Sequence, residues 1–228
     1  MEYNDIGRSI SLVYQRIKSA CERVGRDPKD IRVIAISKTF SPEHIKAAYD
    51  FGIKDFGENY VQEALFKIEK LKHLDISWHF VGRIQSNKIK KIIGNFEFVH
   101  SLCSLDHVLE FEKRSRSKLK AFLQINIAEE KTKDGILVKD VLSFVEKFYE
   151  ISPKSLELIG LMIIPPPKSP RFYFKRLREI RDELVGRGYP ITELSMGMSD
   201  DFEIAIEEGA TFVRIGRAIF GERQYKFG

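Results

Sequence analysis

The feature that most constrains this chain is an alternation. Eight short runs rich in apolar residues, "IRVIAISK", "KDFGENY", "SWHFVG", "FEFVHSL", "KAFLQINI", "LELIGLMII", "TELSMG" and "TFVRIGR", read as strands. Between most of them lie stretches with apolar residues every three or four positions, the period of an amphipathic helix. "SPEHIKAAYDFG" takes Ser41 as its cap and Pro42 in its first turn, and closes on Gly52. "DVLSFVEKFYE" and "PRFYFKRLREIRDELVGRG" repeat the period. "SDDFEIAIEEGA", begun at Ser199, sets Asp200 and Asp201 where a helix dipole favours acids. Val33, Ile34, Ala35 and Ile36 run apolar without a break, as a strand covered on both faces requires. Strand–helix alternation means a parallel sheet, and eight units in 228 residues predict a (β/α)₈ TIM barrel. A doubly wound open sheet is the alternative.

A helix precedes the first strand. Ile10, Val13, Ile17, Ala20, Cys21 and Val24 mark its buried face, Asn4 or Asp5 caps it and Gly25 stops it. No linker or low-complexity tract interrupts the chain, so residues 1–228 are expected to form a single domain, with the "PPP" at 165–167 as a stiff loop.

Composition excludes several classes. Cys21 and Cys103 have neither metal-ligand spacing nor a disulfide framework, which fits a reducing, cytoplasmic setting. The 38 basic and 33 acidic residues are interspersed, and no basic–aromatic interleaving points to a nucleic-acid partner. The cluster "NKIKK" at 87–91 reads as a solvated helix face. "MEYNDIGRSI" is no secretory signal, and no apolar stretch approaches the roughly 20 residues that span a bilayer, so no membrane partner is expected.

In a barrel of this kind the reactive groups stand at the carboxyl ends of the strands. The first run ends on Lys38. Partial burial there lowers the pKa of an ammonium, and a neutral amine condenses with a carbonyl to a Schiff base. The plainer alternative is a lysine that reaches the rim or pairs with Glu58. Asn59 follows the second run, and His79 lies in the third, ahead of Arg83, Gln85, Ser86, Asn87 and Lys88. The seventh loop, "LSMGMS", offers Ser195, Gly197 and Ser199; the eighth offers Arg214, Gly216 and a helix start. Backbone N–H groups at such a start bind phosphate. An amine beside a phosphate cradle suits pyridoxal 5′-phosphate, and a sugar-phosphate aldolase equally well. On these residues alone Arg214 also reads as the partner of a core acid, and His79 as a satisfied core histidine. Trp78 and Phe80 read as core.

Six motifs, "AISK", "FGENYVQE", "WHFVGRIQSNK", "GLMIIPP", "LSMGMSDDFEIAIEEGATFVRIG" and "AIFGER", together resemble the YggS/PROSC family of pyridoxal phosphate homeostasis proteins. These are similar to the barrel domain of alanine racemase standing alone, and the resemblance covers nearly the whole chain. It implies that Lys38 carries the Schiff base and that Arg214 faces the pyridine nitrogen. It implies that Ser199, Gly216 and Arg217 hold the phosphate, the last two by backbone N–H, with Asn59, His79 and Ser195 in the pocket. Two departures stand out. Arg217 occupies a position where many relatives carry a smaller residue, and "INIAEEKTKDGI" lacks the usual serine–glycine pair although Lys133 and Gly135 fit.

The resemblance implies a non-catalytic monomer that binds and buffers pyridoxal 5′-phosphate and delivers it to pyridoxal-phosphate-dependent apo-enzymes. The alternative is an amino-acid racemase of low activity. An arginine at the ring nitrogen makes a weak electron sink. With "GERQYKFG" following directly on the barrel, no second domain is expected to supply a base, and His79 and Tyr225 are the candidates.

Overall fold

The computed structural model describes residues 3–114 and 117–222. Eight of its nine strands close into a parallel barrel. These are β1 (Arg32–Ile36), β2 (Asp55–Glu58), β3 (Ser77–Phe80), β4 (Phe98–Leu102), β5 (Leu119–Asn126), β7 (Leu156–Met162), β8 (Glu193–Ser195) and β9 (Phe212–Ile215). The strand order is β4-β3-β2-β1-β9-β8-β7-β5, and β5 pairs back to β4. The eight runs read from the sequence are the eight barrel strands. The short β6 (Ile136–Leu137) pairs only with the end of β5.

Side chains alternate across each strand, one set facing the barrel axis and the other the helices. Ile34, Phe98, Phe122, Met162 and Phe212 pack together inside the barrel. Val33, Ala35, Val99, Val213 and Ile215 face outward into the larger core shared with the helices. Burying each large apolar side chain stabilises the fold by roughly 1.5–3 kcal/mol. The outer layer comprises α2 (Pro42–Asp50), α3 (Val61–Lys70), α4 (Ile89–Ile92), α5 (Leu105–Arg114), α6 (Val141–Ile151), α7 (Pro170–Gly186), α8 (Phe202–Glu207) and α9 (Arg217–Phe220). In α4 the basic cluster leaves Lys90 and Lys91 in solvent while Ile89 and Ile92 are buried.

The N-terminal helix α1 spans Tyr3–Arg23, so Asn4 and Asp5 lie within its first turn rather than capping it. Arg16 pairs with Glu203 at 2.7 Å and Arg23 with Glu207 at 2.6 Å, which binds α1 to α8. The helix expected from Ser199 starts three residues later. Asp201 sits at its cap, its carboxylate accepting the Met198 N–H at 2.7 Å, and Asp200 is turned toward Arg217. Short polar side chains that bond nearby backbone favour a turn over a helix, and here they hold 198–201 as one.

Candidate functional site

The candidate residues come from neighbouring strands. Barrel order places the ends of β2, β1, β9 and β8 side by side, bringing together Asn59, Lys38, Arg214 to Arg217, and Ser195 to Ser199.

Lys38 is half-buried in the turn after β1. The Phe40 N–H donates to Ser37 O at 3.0 Å, closing a β-turn with Lys38 and Thr39 at its centre. Thr39 has φ of +71°. That conformation is left-handed and unfavourable for a β-branched residue, and costs of order 1–3 kcal/mol. Glu58 does not lack partners of its own. Its Oε1 accepts from the Ser37 hydroxyl at 2.6 Å and from Lys67 Nζ at 2.7 Å. Burial raises the Glu58 pKa, an effect that Lys67 partly offsets.

Asn59 follows β2, and its Oδ1 is buried with no hydrogen-bond partner among the described residues. Its backbone lies so close to Gly82 that a Cβ there would stand 2.0 Å from Asn59 O, so only glycine fits.

Arg214 points into the barrel and is 5% exposed. Its Nη1 donates to Ser195 Oγ at 2.7 Å and its Nη2 to Ile163 O at 2.8 Å. It forms no ion pair among the described residues, so it is not the partner of a core acid. Desolvation lowers its pKa to about 10, partly opposed by Asp201, which still leaves it charged at neutral pH. A buried cation without a carboxylate is costly unless something else accepts its hydrogen bonds.

Ser195 also faces His100, whose Nδ1 lies 2.9 Å from Ser195 Oγ. His100 Nε2 is 3.0 Å from His79 Nδ1, and His79 Nε2 is 2.8 Å from Asp55 Oδ1. His79 is therefore fully buried, stacked on Phe98 at 4.2 Å, with both ring nitrogens taken; it meets Ser195 only through His100. Asp55 is held by Arg32, whose Nε donates to Oδ1 at 2.7 Å. The sequence reading missed Asp55 and His100. Alternation alone points to them, since His100 shares the inward face of β4 with Phe98.

Ser199 Oγ accepts the Ala218 N–H at 3.1 Å, joining the loop after β8 to the first turn of α9. Gly216 opens that turn beside β1, where an added Cβ would sit 3.4 Å from Ile36 O. The exposed Arg217 side chain turns away to Asp200, with Glu222 at 3.5 Å. The loop after β5 is organised by Asn126. Its Nδ2 donates to Glu130 O and Lys133 O at 2.8 and 3.2 Å, and its Oδ1 accepts the Glu130 N–H. A cavity of about 250 Å³ lies against this loop, lined in part by Asn126, Lys133 and Ile164. Tyr225 lies outside the described residues.

Arg214 and Asn59 suit a pyridoxal phosphate. A pyridine nitrogen is a neutral acceptor for a guanidinium with donors to spare, and the backbone N–H groups where the chain turns at Gly216, beside Ser199, are of a kind that can hold a phosphate.

Fold and site together define a barrel of the alanine racemase N-terminal type: the family model described as alanine racemase, N-terminal domain, matches residues 14–224. The pyridoxal phosphate homeostasis protein of Aquifex aeolicus is 44% identical over 225 residues, covering 95% of this chain and 97% of that one. PipY of Synechococcus elongatus, whose structure was solved with PLP bound, is 31% identical with a TM-score of 0.80, over 92% of this chain and all of that one. Alanine racemase of Corynebacterium glutamicum, at 11% identity and a TM-score of 0.74 over all of this chain and 63% of its own, shares the fold alone. The chain belongs to the family of pyridoxal phosphate homeostasis proteins.

Proposed function

We propose that this chain binds pyridoxal 5′-phosphate at the carboxyl end of the barrel and serves cofactor homeostasis, holding the cofactor and releasing it intact to apo-enzymes. The observation that carries the reading is Arg214, a buried guanidinium with no carboxylate partner among the described residues, on the strand next to the one that leads into Lys38. The cofactor supplies an aldehyde that condenses with a primary amine. Lys38 supplies that amine. Arg214 donates to the ring nitrogen, and Ser199, Gly216 and Arg217 hold the phosphate, the latter two through backbone N–H. Asn59 takes a donor at its unpartnered Oδ1. Ser195 fixes the Arg214 guanidinium, and His79 supports Ser195 through His100.

A homeostatic role rather than turnover follows from the same groups. Arg214 remains protonated at neutral pH, so it cannot take a proton from the ring nitrogen and has little tendency to give one to it. His79 has no free nitrogen to act as a base. The decisive experiment is an absorbance spectrum of the protein mixed with pyridoxal 5′-phosphate, then borohydride reduction and peptide mass mapping. The pyridoxyl adduct is expected on the Lys38 peptide. An adduct found only on Lys131, Lys133 or another lysine overturns the assignment.

A further inference from the structure

We infer that Lys67, with Glu58 and Glu63, is a positioning device for Lys38. Lys67 is the one lysine among the described residues that is fully buried, at 2% exposure, and it sits on α3, outside the barrel mouth. Its Nζ donates to three acceptors: Glu58 Oε1 at 2.7 Å, Glu63 Oε1 at 2.6 Å and the backbone carbonyl of Ser37 at 2.8 Å. Glu63 Oε1 also accepts the backbone N–H of Thr39 at 2.6 Å.

The two backbone groups define the device. Ser37 C=O belongs to the peptide plane before Lys38, and Thr39 N–H to the plane after it. Both planes flanking the Lys38 Cα are thus held from α3, by groups that share one ammonium. Ser37 Oγ adds a third tie to the same carboxylate, Glu58 Oε1, at 2.6 Å. All three ammonium donors of Lys67 are used, while Glu58 Oε2 is buried without a hydrogen-bond partner among the described residues.

Such an arrangement has a reason to exist. The turn carries Thr39 at a positive φ, and an unfavoured backbone persists only where its surroundings over-determine it. Glu63 and Lys67 stand four residues apart on one helix face, so one rigid element sets both contacts. Burying a lysine beside two carboxylates is a poor route to stability alone, and a well-attested use of such groups is to specify geometry. Here the geometry specified is the starting direction of the Lys38 side chain.

This inference rests on the reading of Lys38 as the cofactor's amine, and its test separates the two. Lys67→Met keeps the length of the side chain and removes the charge. Glu63→Ala removes the acceptor for Thr39 N–H, whereas Glu63→Gln keeps an oxygen there. Two measurements are made on each: the rate at which borohydride traps pyridoxal 5′-phosphate on Lys38, and the rate of reductive methylation of Lys38 by formaldehyde without the cofactor, relative to the other lysines. A misplaced amine slows trapping by roughly 10–100-fold, since displacement of a reacting group by an ångström costs that much. Methylation of Lys38 rises as its side chain swings into water. Glu63→Gln restores both rates most of the way, which a general loss of packing would not do. The inference is overturned if Glu63→Ala, checked by circular dichroism as folded, traps and methylates Lys38 like the parent. If the parent itself forms no adduct at Lys38, the cofactor reading fails, and the methylation rates alone then decide whether the clamp holds the turn.

Discussion

Arg214 and Ser195 are joined by a 2.7 Å hydrogen bond that ends a chain of polar contacts running from Asp55 through His79 and His100. Hydrogen bonds from His79 and Arg32 more than offset the burial that pushes the Asp55 carboxyl up, and hold it below its ordinary value, so it is an acceptor. His79 then donates from Nε2 and accepts at Nδ1, His100 donates from Nε2 and accepts at Nδ1, and Ser195 donates its hydroxyl proton to His100 while accepting from Arg214. The order requires both histidines to be neutral. Desolvation lowers both pKa values; for His100 the positive charges of Arg214 and Arg32 and the neighbouring His79 push the same way. In that order a second proton on either histidine would face the N–H or O–H it now accepts, so its neighbour would have to turn round.

That order predicts a pH dependence of stability. Below the ordinary histidine pKa of 6.5 the unfolded chain takes up protons that folded His79 and His100 refuse. Stability is therefore full above pH 6.5 and falls as pH drops below it, by up to about 1.4 kcal/mol per pH unit for each histidine still neutral in the fold. Glu58, raised by burial, works in the opposite sense at lower pH. Urea unfolding between pH 7.5 and 5.5 measures the slope, and His100→Phe should reduce it by about one histidine's share. Equal slopes in parent and variant would contradict the neutral chain.

The proposed phosphate cradle predicts that pyridoxal lacking phosphate binds far more weakly. Each lost charge-assisted hydrogen bond costs roughly 1.5–3 kcal/mol, so two or three amount to orders of magnitude in Kd. Ser199→Ala loses the tie to Ala218 N–H and should cost about 1 kcal/mol. Gly216→Val should cost more, because on the proposed reading a branched side chain there stands in the way of the phosphate's approach to the backbone. Titration by absorbance gives all four values, and equal affinity for the two forms of the cofactor would rule the cradle out.

Arg217 offers a contrast. Its guanidinium is exposed and engaged with Asp200 and Glu222 on the rim, so on the proposed reading only its backbone bears on the phosphate. Arg217→Ala should change the Kd for pyridoxal 5′-phosphate by less than about fivefold, in keeping with the 0–1 kcal/mol typical of surface pairs. A loss of a hundredfold would mean that the side chain itself reaches the phosphate.

Amino acids should exchange onto the bound cofactor and shift its spectrum, yet lose their α-proton slowly. Deuterium incorporation at the α-carbon of L-alanine, followed by mass spectrometry with a chiral assay in parallel, checks this. A rate within the enzymatic range of roughly 1–10³ s⁻¹ would show instead that a base is in place.

Sequence pattern carried the barrel because its strands are short, apolar and evenly interrupted; which way Ile34 and Val33 face was not legible, because the run 33–36 is apolar without a break. It could not carry β6, since two residues show no period. It also missed Lys67. A lysine on an amphipathic helix reads as solvent-facing, and only the meeting of α3 with the turn after β1 buries it. The positions of Lys38, Asn59, Ser195 and Arg214 at strand ends were legible from where the apolar runs stop. What each side chain touches was not, because Arg214 finds Ile163 and Ser195 finds His100 through barrel closure, which no local window contains.

Barrel closure also sets an order of events during synthesis. β1 pairs with β9, and α1 is bound to α8, so the earliest and latest parts of the chain meet at one seam. A nascent chain emerging from the ribosome presents Lys38 early, while Arg214 and the turn at Gly216 emerge only near the end. Until β9 slots in beside β1, Arg214 is missing from the strand next to Lys38 and, on the proposed reading, the phosphate has no seat. On the proposed reading, the cofactor is received only by a finished barrel, and a loaded molecule shows that translation reached the last barrel strand.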